Sequence, residues 1–380
     1  MHAERRKTVL DSARRIVIKV GSAVLTSERG LDLRVVNRLA DQLAQLHDSG
    51  REIVLVSSGA VAAGRRRVPD LASGPLDLPG RQAVSAIGQS RLMHEYDEAL
   101  ARYDKVTAQV LLTREDFRGR QRFLNARNTM RRLLDWGVIP VINENDTVAV
   151  QELEFGDNDT LACMVVDLIG ADLFVNLTSA DGVFDKNPDR HPDAACVRCI
   201  DNIAALDLDA MCDGKTTVGS GGMYSKLRAA RRCAQIGVPT LIVSGKHPFA
   251  LEHVFAGAEA GTWVEPESRP IADRKFWLAY HDEPSGDIAV DAGAARALRD
   301  KGTSLLPIGI VEIHGRFERG ALVRIKDPDG RTVGVGLSNY KSSELARIKG
   351  RNSGEIESVL GSAPYPEAVH RDNLLLDAAL

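Results

Sequence analysis

Ile16-Val17-Ile18-Lys19-Val20-Gly21-Ser22 is the stretch on which the reading of this chain turns. An unbroken run of mainly β-branched residues describes a central strand of a parallel sheet, apolar on both faces. Lys19 sits near the end of that run, where an unpaired buried ammonium is costly and calls for an anion. The Gly21-Ser22 pair that follows lets the backbone turn sharply and present N–H groups, an arrangement suited to phosphate. A lysine at a strand end can also extend its charge into water. The rest of the chain has to decide between the two.

From residue 14 to about 260, short apolar runs alternate with longer amphipathic ones. Strands are expected at Ile16–Val20, Glu52–Ser57, Val106–Leu112, Val138–Ile142, Leu173–Leu177 and Thr240–Val243. Helices are expected at Leu33–Leu46, Gln89–Ala101, Asn125–Trp136, Thr160–Ile169 and Tyr224–Ile236. Such alternation is the signature of an α/β domain built on a mainly parallel sheet, which binds ligands at the carboxyl ends of its strands. Those ends carry small or polar residues: Gly21-Ser22, Ser57-Ser58-Gly59, Asn143-Glu144-Asn145-Asp146 and Thr178-Ser179. After Trp263 the pattern changes to a polar stretch with Pro266 and Pro270, then to short extended segments around an Asp327-Pro328-Asp329-Gly330 turn. The expected organisation is an extension (1–14), an α/β domain (15–262), a linker (263–281), a small mostly-β domain (282–360) and an unassigned tail (361–380). The composition of the extension permits disorder.

Composition narrows the function. The net charge of -3 provides no overall field for nucleic acid or an acidic membrane. No apolar run approaches the roughly 18–20 residues needed to cross a bilayer. The basic and acidic residues before Arg15 leave no apolar core for a secretory signal. Five cysteines, an odd count, suit reduced thiols in the cytoplasm rather than a disulfide framework. Cys196-Val197-Arg198-Cys199 has metal-ligand spacing, but no second Cys/His pair completes a zinc site, so no metal is expected there.

Three segments point to chemistry. Gly214-Lys215-Thr216 resembles the end of a Walker A loop, but Asp209 stands where that loop requires glycine. Gly219-Ser220-Gly221-Gly222-Met223-Tyr224-Ser225-Lys226 is the better phosphate site, with glycines before a helix N-terminus exposing N–H groups and a positive dipole end. Lys226 opposes that dipole unless a polyphosphate reverses the local sign. Asn143-Glu144-Asn145-Asp146, with Phe155-Gly156-Asp157-Asn158-Asp159-Thr160, gathers acids and amides that can bind an ammonium group, orient cations or hold a divalent metal. Asn158 or Asp159 can also cap the following helix.

Taken in order, these residues resemble the amino acid kinase family. The resemblance is carried by Ile18-Lys19-Val20-Gly21-Ser22, Ser57-Ser58-Gly59-Ala60-Val61-Ala62-Ala63-Gly64, Gly88-Gln89-Ser90-Arg91-Leu92 and Leu111-Leu112-Thr113-Arg114. Phe123-Leu124-Asn125-Ala126-Arg127, Pro140-Val141-Ile142-Asn143-Glu144-Asn145-Asp146, Gly156-Asp157-Asn158-Asp159 and Gly221-Gly222-Met223 continue it. Within the family the match is to members that phosphorylate the side-chain carboxylate of L-glutamate, opening proline biosynthesis, and the second domain is similar to their PUA module. The resemblance implies a three-layer sandwich around the mainly parallel sheet, followed by the mostly-β PUA domain. It implies ATP and Mg²⁺ as cofactors, proline as a feedback inhibitor, and a homo-oligomer, dimer or tetramer, in the cytoplasm without membrane attachment. Lys19 and Lys226 would contact the ATP phosphates from opposite sides, with Asp159 holding both. Ser58, Asp146 and Asn158 would bind glutamate, with Asn143 and Asp157 nearby. Thr178, Ser179 and the run Ser220, Gly221, Gly222, Met223 to Lys226 would contact the nucleotide. Ser179 departs from the family, which usually has Asp there.

Two other readings remain open at this point. One is a kinase of the same fold acting on acetylglutamate, aspartate, a nucleotide or a small phosphate. The other is RNA binding through the PUA module. The second is disfavoured because Lys and Arg only equal Asp and Glu across residues 282–360, without the basic excess that phosphate binding demands.

Overall fold

The computed structural model describes residues 2–27, 30–68, 74–118, 120–148, 158–188, 190–212, 222–267, 284–362 and 364–376. The chain divides into two compact units, 1–270 and 271–380.

The first unit is built on an eight-stranded sheet. Its strands, in chain order, are β1 (Arg15–Val20), β2 (Glu52–Ser57), β3 (Thr107–Leu112), β4 (Ile139–Glu144), β5 (Leu173–Thr178), β6 (Cys199–Ile200), β7 (Thr240–Ser244) and β8 (Thr262–Val264). They lie in the order β6-β8-β7-β5-β1-β2-β4-β3. Every neighbouring pair is parallel except β7 with β8. The β-branched run sits at the centre of this order, and Ile16, Val17, Ile18 and Val20 are fully buried, as a strand covered on both faces requires.

Helices cover both faces. The main ones are α1 (His2–Ser12), α2 (Leu33–Asp48), α3 (Ala60–Arg65), α4 (Leu78–Ala101), α5 (Arg120–Asp135), α6 (Asn158–Ile169) and α7 (Met223–Gln235). Ile16, Ile18 and Val20 share a core with apolar residues of α1, α2 and α4. Side chains alternate across a strand, so Val17 and Lys19 point to the opposite face. There α6 packs on β1 and lies against α5 and α7. The expected helix at Gln89 begins eleven residues earlier, at Leu78, where the Asp77 carboxylate accepts the Gly80 N–H at 2.9 Å. Gly80 and Gly88 lower the local helix propensity and hide that first half.

The N-terminal residues are a helix rather than an extension without structure. Arg6 and Leu10 are buried on it, and the Arg6 guanidinium donates to the carbonyls of Ala258 and Ala260 at 3.2 and 2.8 Å. This helix is held by tertiary contacts, which its polar sequence does not announce.

The second unit carries a five-stranded sheet of β9 (Asp287–Val290), β10 (Ile310–His314), β11 (Leu322–Lys326), β12 (Thr332–Ser338) and β13 (Val369–Leu376), in the order β10-β9-β11-β12-β13. Ile288, Val323, Ile325 and Val333 form its core with Tyr340, Leu345 and Ile348. The expected turn joins β11 to β12, with the Asp327 carboxylate accepting the N–H groups of Asp329 and Arg331. The expected tail is corrected here: β13 pairs antiparallel with β12, so the sheet continues well past residue 360. Polar residues from His370 to Asn373 break the alternation that would have announced a strand.

Candidate active site

The four strand ends noted in the sequence belong to neighbours, since β5, β1, β2 and β4 are consecutive in the sheet. Their carboxyl ends therefore share one edge, as a ligand crevice in an open parallel sheet requires.

Lys19 lies level with Val56 of β2 and Asn176 of β5. Its ammonium donates to Asp159 Oδ1 at 2.5 Å, and Lys226 Nζ donates to Asp159 Oδ2 at 3.1 Å. Asn176 Nδ2 reaches the same Oδ1 at 2.9 Å, and Ser225 Oγ reaches Oδ2 at 2.8 Å. Asp159 is fully buried, and Lys19 and Lys226 are 3% and 5% exposed. Two buried ammonium groups share one carboxylate here, and a cluster with two such cations is a favourable place for an anion to join. The solvated alternative for Lys19 is excluded by its burial.

Asn158, next to Asp159, faces a different set of partners. Its Nδ2 lies 3.0 Å from the Ser57 carbonyl, 3.0 Å from Ser58 Oγ and 2.8 Å from Asn143 Oδ1. Asn143 in turn donates to Gln89 Oε1 at 2.7 Å, and Ser85 donates to the Asp146 carboxylate. Burial pushes the Asp146 carboxyl above the usual aspartate range, an effect that the Ser85 hydrogen bond partly offsets.

Two cavities flank the trio. One, of about 390 Å³, is lined by Ser22, Ser58, Arg65, Asn143, Asp146 and Asn158. The other, of about 340 Å³, is lined by Thr178, Ser179, Gly222, Met223 and Lys226, with an apolar wall that includes Val183 and Phe184. Both have the size of small-molecule sites. The first offers carboxylate and amide groups to a small polar molecule. The second combines a lysine and a helix start with an apolar wall, as a nucleotide requires.

The α3 wall of the first cavity packs on α4 through two glycines. A Cβ on Gly64 would stand 1.8 Å from the Val84 carbonyl oxygen, and one on Gly88 1.8 Å from that of Ala60. Only glycine permits α3 and α4 to approach this closely.

Of the residues expected at the site, Lys19, Lys226 and Asp159 meet in one cluster. Ser58, Asp146, Asn158 and Asn143 line the first cavity, and Thr178, Ser179, Gly222 and Met223 line the second. Asp157, Ser220 and Gly221, with the Walker-like Gly214-Lys215-Thr216, lie outside the described residues. Asn176 and Ser85 are not singled out in the sequence, and Ser225 and Gln89 stand there only inside longer motifs. Asn176 left a signal, as the lone amide in the apolar run Leu173–Thr178. Ser85 and Gln89 are four apart on α4 and so share a face.

Residues 14–244 match the Amino acid kinase family, and residues 286–360 match the PUA domain. The chain is 62% identical over 375 residues to the glutamate 5-kinase of Maridesulfovibrio salexigens, covering 99% of each chain. It is 59% identical over 377 residues to that of Nitratidesulfovibrio vulgaris, again covering 99% of each. With the glutamate 5-kinase of Thermus thermophilus the identity is 49% over 365 residues, covering 96% of this chain and 98% of the relative. The family match and the similarity along the whole length agree: the chain is a kinase that belongs to the amino acid kinase family, among its glutamate 5-kinases.

Proposed function

We propose that the protein transfers the γ-phosphoryl group of ATP to the side-chain carboxylate of L-glutamate, giving L-glutamyl 5-phosphate for proline biosynthesis. The observation that carries this reading is the position of Asp159. Its neighbour Asn158 lines the polar cavity, while its own carboxylate holds Lys19 and the Lys226 that lines the other.

In this reading glutamate occupies the cavity of Ser58, Asn143, Asp146 and Asn158, with Asp157 nearby, and Asp146 takes the substrate ammonium group. ATP occupies the cavity of Thr178, Ser179 and the Ser220, Gly221, Gly222, Met223 to Lys226 segment. Ser179 supplies a neutral hydroxyl where the family resemblance leads to an aspartate. An oxygen of the glutamate side chain attacks Pγ, the bond from Pγ to the bridging oxygen breaks, and ADP leaves. The nucleophile is ionised at neutral pH, so no general base takes part. Two anions must instead be held together, and Lys19 and Lys226 offset the charge that migrates between them. Asp159 keeps both ammonium groups oriented. Among the described residues Lys19, Lys226, Asn176 and Ser225 donate to its oxygens, and a Mg²⁺ carried by ATP would offset phosphate charge.

Proline acts as a feedback inhibitor competing near the glutamate cavity. The chain works as a cytoplasmic homo-oligomer, with the PUA module serving assembly or regulation rather than RNA binding. An ADP-release assay over a panel of acceptors tests the central claim. L-glutamate should exceed N-acetylglutamate, L-aspartate and UMP in kcat/KM by at least about a hundredfold, the discrimination that charged, hydrogen-bonded recognition sustains. Faster turnover of any of the other three would refute it.

A further inference from the structure

The Cys196-Val197-Arg198-Cys199 spacing is pulled apart by the fold. Cys196 joins a two-residue hairpin with Phe184, whereas Cys199 lies on β6 beside Trp263 of β8. Cys199 instead acquires neighbours from distant segments. β6 and β8 run parallel, and the Glu265 N–H donates to the Ile200 carbonyl at 2.9 Å, which brings Asp201 and Glu265 to one end of the pair. Cys199 Sγ lies 3.1 Å from Asp201 Oδ1.

Helix α1 delivers the next group. His2, Arg6 and Leu10 are spaced four apart and share one face of the helix. Leu10 is buried, and the Arg6 guanidinium lies 5.9 Å from the Trp263 ring centre. His2 Nδ1 thereby comes within 3.4 Å of Asp201 Oδ1 and 3.7 Å of Glu265 Oε1. Ligand atoms of His2, Cys199 and Glu265 all lie within 4.8 Å of one another.

Glu265 supplies the second, independent sign of a ligand. Its side chain is only 6% exposed, and one oxygen faces Arg5 Nε at 3.7 Å. The other, Oε1, is buried without a hydrogen-bond partner among the described residues and turns toward His2. A carboxylate oxygen left in that condition is expensive unless a cation engages it.

We propose that His2 Nδ1, Cys199 Sγ and Glu265 Oε1 bind a zinc ion, with Asp201 or water completing the shell. A mixed nitrogen, sulfur and oxygen set suits this borderline-soft metal and not Mg²⁺ or Ca²⁺. Tetrahedral bonds of about 2.0–2.3 Å put ligand atoms roughly 3.3–3.8 Å apart, so the cluster has to tighten slightly. His2, whose side chain is half-exposed, is the ligand with room to adjust. Binding releases the thiol proton and fastens α1 to the sheet edge. None of the kinase residues takes part.

The test uses the untagged full-length chain, stripped with a chelator and titrated with Zn²⁺ alone, then with Co²⁺ as a spectroscopic probe. A single zinc ion per chain is expected, and cobalt should give a thiolate charge-transfer band. Cys199→Ser should abolish that band and weaken zinc binding by at least about tenfold, and His2→Ala should weaken it similarly. Cys196→Ser should leave both intact. Parent protein that takes up no zinc at micromolar concentration, or Cys199→Ser that binds as tightly as the parent, overturns the proposal. Should Cys199→Ser not fold, exposed His2 decides: unchanged zinc affinity in His2→Ala overturns it equally.

Discussion

Asp159 and the two lysines it joins differ in what each contributes to the free protein. Replacing Lys19 by Met leaves one ammonium facing one carboxylate, a balanced pair. Asp159→Asn instead removes the one carboxylate that both buried ammonium groups share, a loss of about 3–5 kcal/mol on the scale of broken buried pairs. Thermal unfolding should therefore place Lys19→Met near the parent and Asp159→Asn far below it. Steady-state kinetics should place Lys19→Met about 10²-fold or more below the parent in kcat, as for deletion of an electrostatic donor. Parent-like melting of Asp159→Asn would show that the charge balance has been misread. Asp146 permits a second check at this scale. Its carboxyl is raised chiefly by burial, so it takes up a proton at higher pH than a solvated aspartate. As pH falls through that value its pull on the substrate ammonium group disappears, and the glutamate KM should climb while the ATP KM stays nearly level. The Ser85 hydroxyl favours the charged form, so Ser85→Ala should move the climb to still higher pH. Superimposable pH profiles for the two proteins would remove Asp146 from ammonium binding. By linkage, the raised value favours folding at low pH, and that contribution is lost as pH rises through it.

The contact between α3 and α4 is where sequence and site meet at the level of elements. A methyl group on Gly88 has backbone on two sides, 1.8 Å from the Ala60 oxygen and 2.4 Å from the Gly64 nitrogen. Backbone cannot swing aside as a side-chain tip can. Gly88→Ala should cost about 1–3 kcal/mol by overpacking and raise the glutamate KM several-fold, because it would push away α3, whose Ala60 to Arg65 face forms a wall of the acceptor cavity. A melting curve and glutamate titration matching the parent would contradict this. Most of this architecture was legible: period and β-branching located the six longer strands of the first unit to within two residues at either end. Lys19 and Lys226 were legible as charges out of place, in a strand and against a dipole, whereas Asp159 is equally at home as a helix cap and took its role from the family resemblance. Asn176 was harder, since one amide in an apolar strand gains meaning only when the register sets it beside Lys19. The helix at His2–Ser12 and the strand at Val369–Leu376 escaped for one reason. Each is stabilised by partners far away in sequence, and neither repeats an apolar pattern of its own.

At the scale of the whole molecule, the division of labour follows from where the chemistry lies. Lys19, Asp159, Lys226 and both cavities belong to residues 1–270, and that unit has apolar cores of its own, around Ile18 and Leu43 and around Leu227 and Ile242. The second unit has a separate core around Ile288 and Tyr340. Two units with separate cores satisfy the physical condition for separate folding. A chain ending at Pro270 should therefore unfold cooperatively and keep kcat and both KM values within about threefold of the full protein, a change of less than 1 kcal/mol in transition-state binding. If the PUA module serves assembly or regulation, the same truncation should change oligomer size in sedimentation or the proline concentration needed for half-inhibition. The two measurements answer different questions. Loss of turnover in a truncated chain that still folds would mean that the second unit completes the site. Unchanged turnover, assembly and inhibition together would leave the kinase reading intact and remove the regulatory one, because nothing that the second unit does would then reach the phosphoryl-transfer cluster.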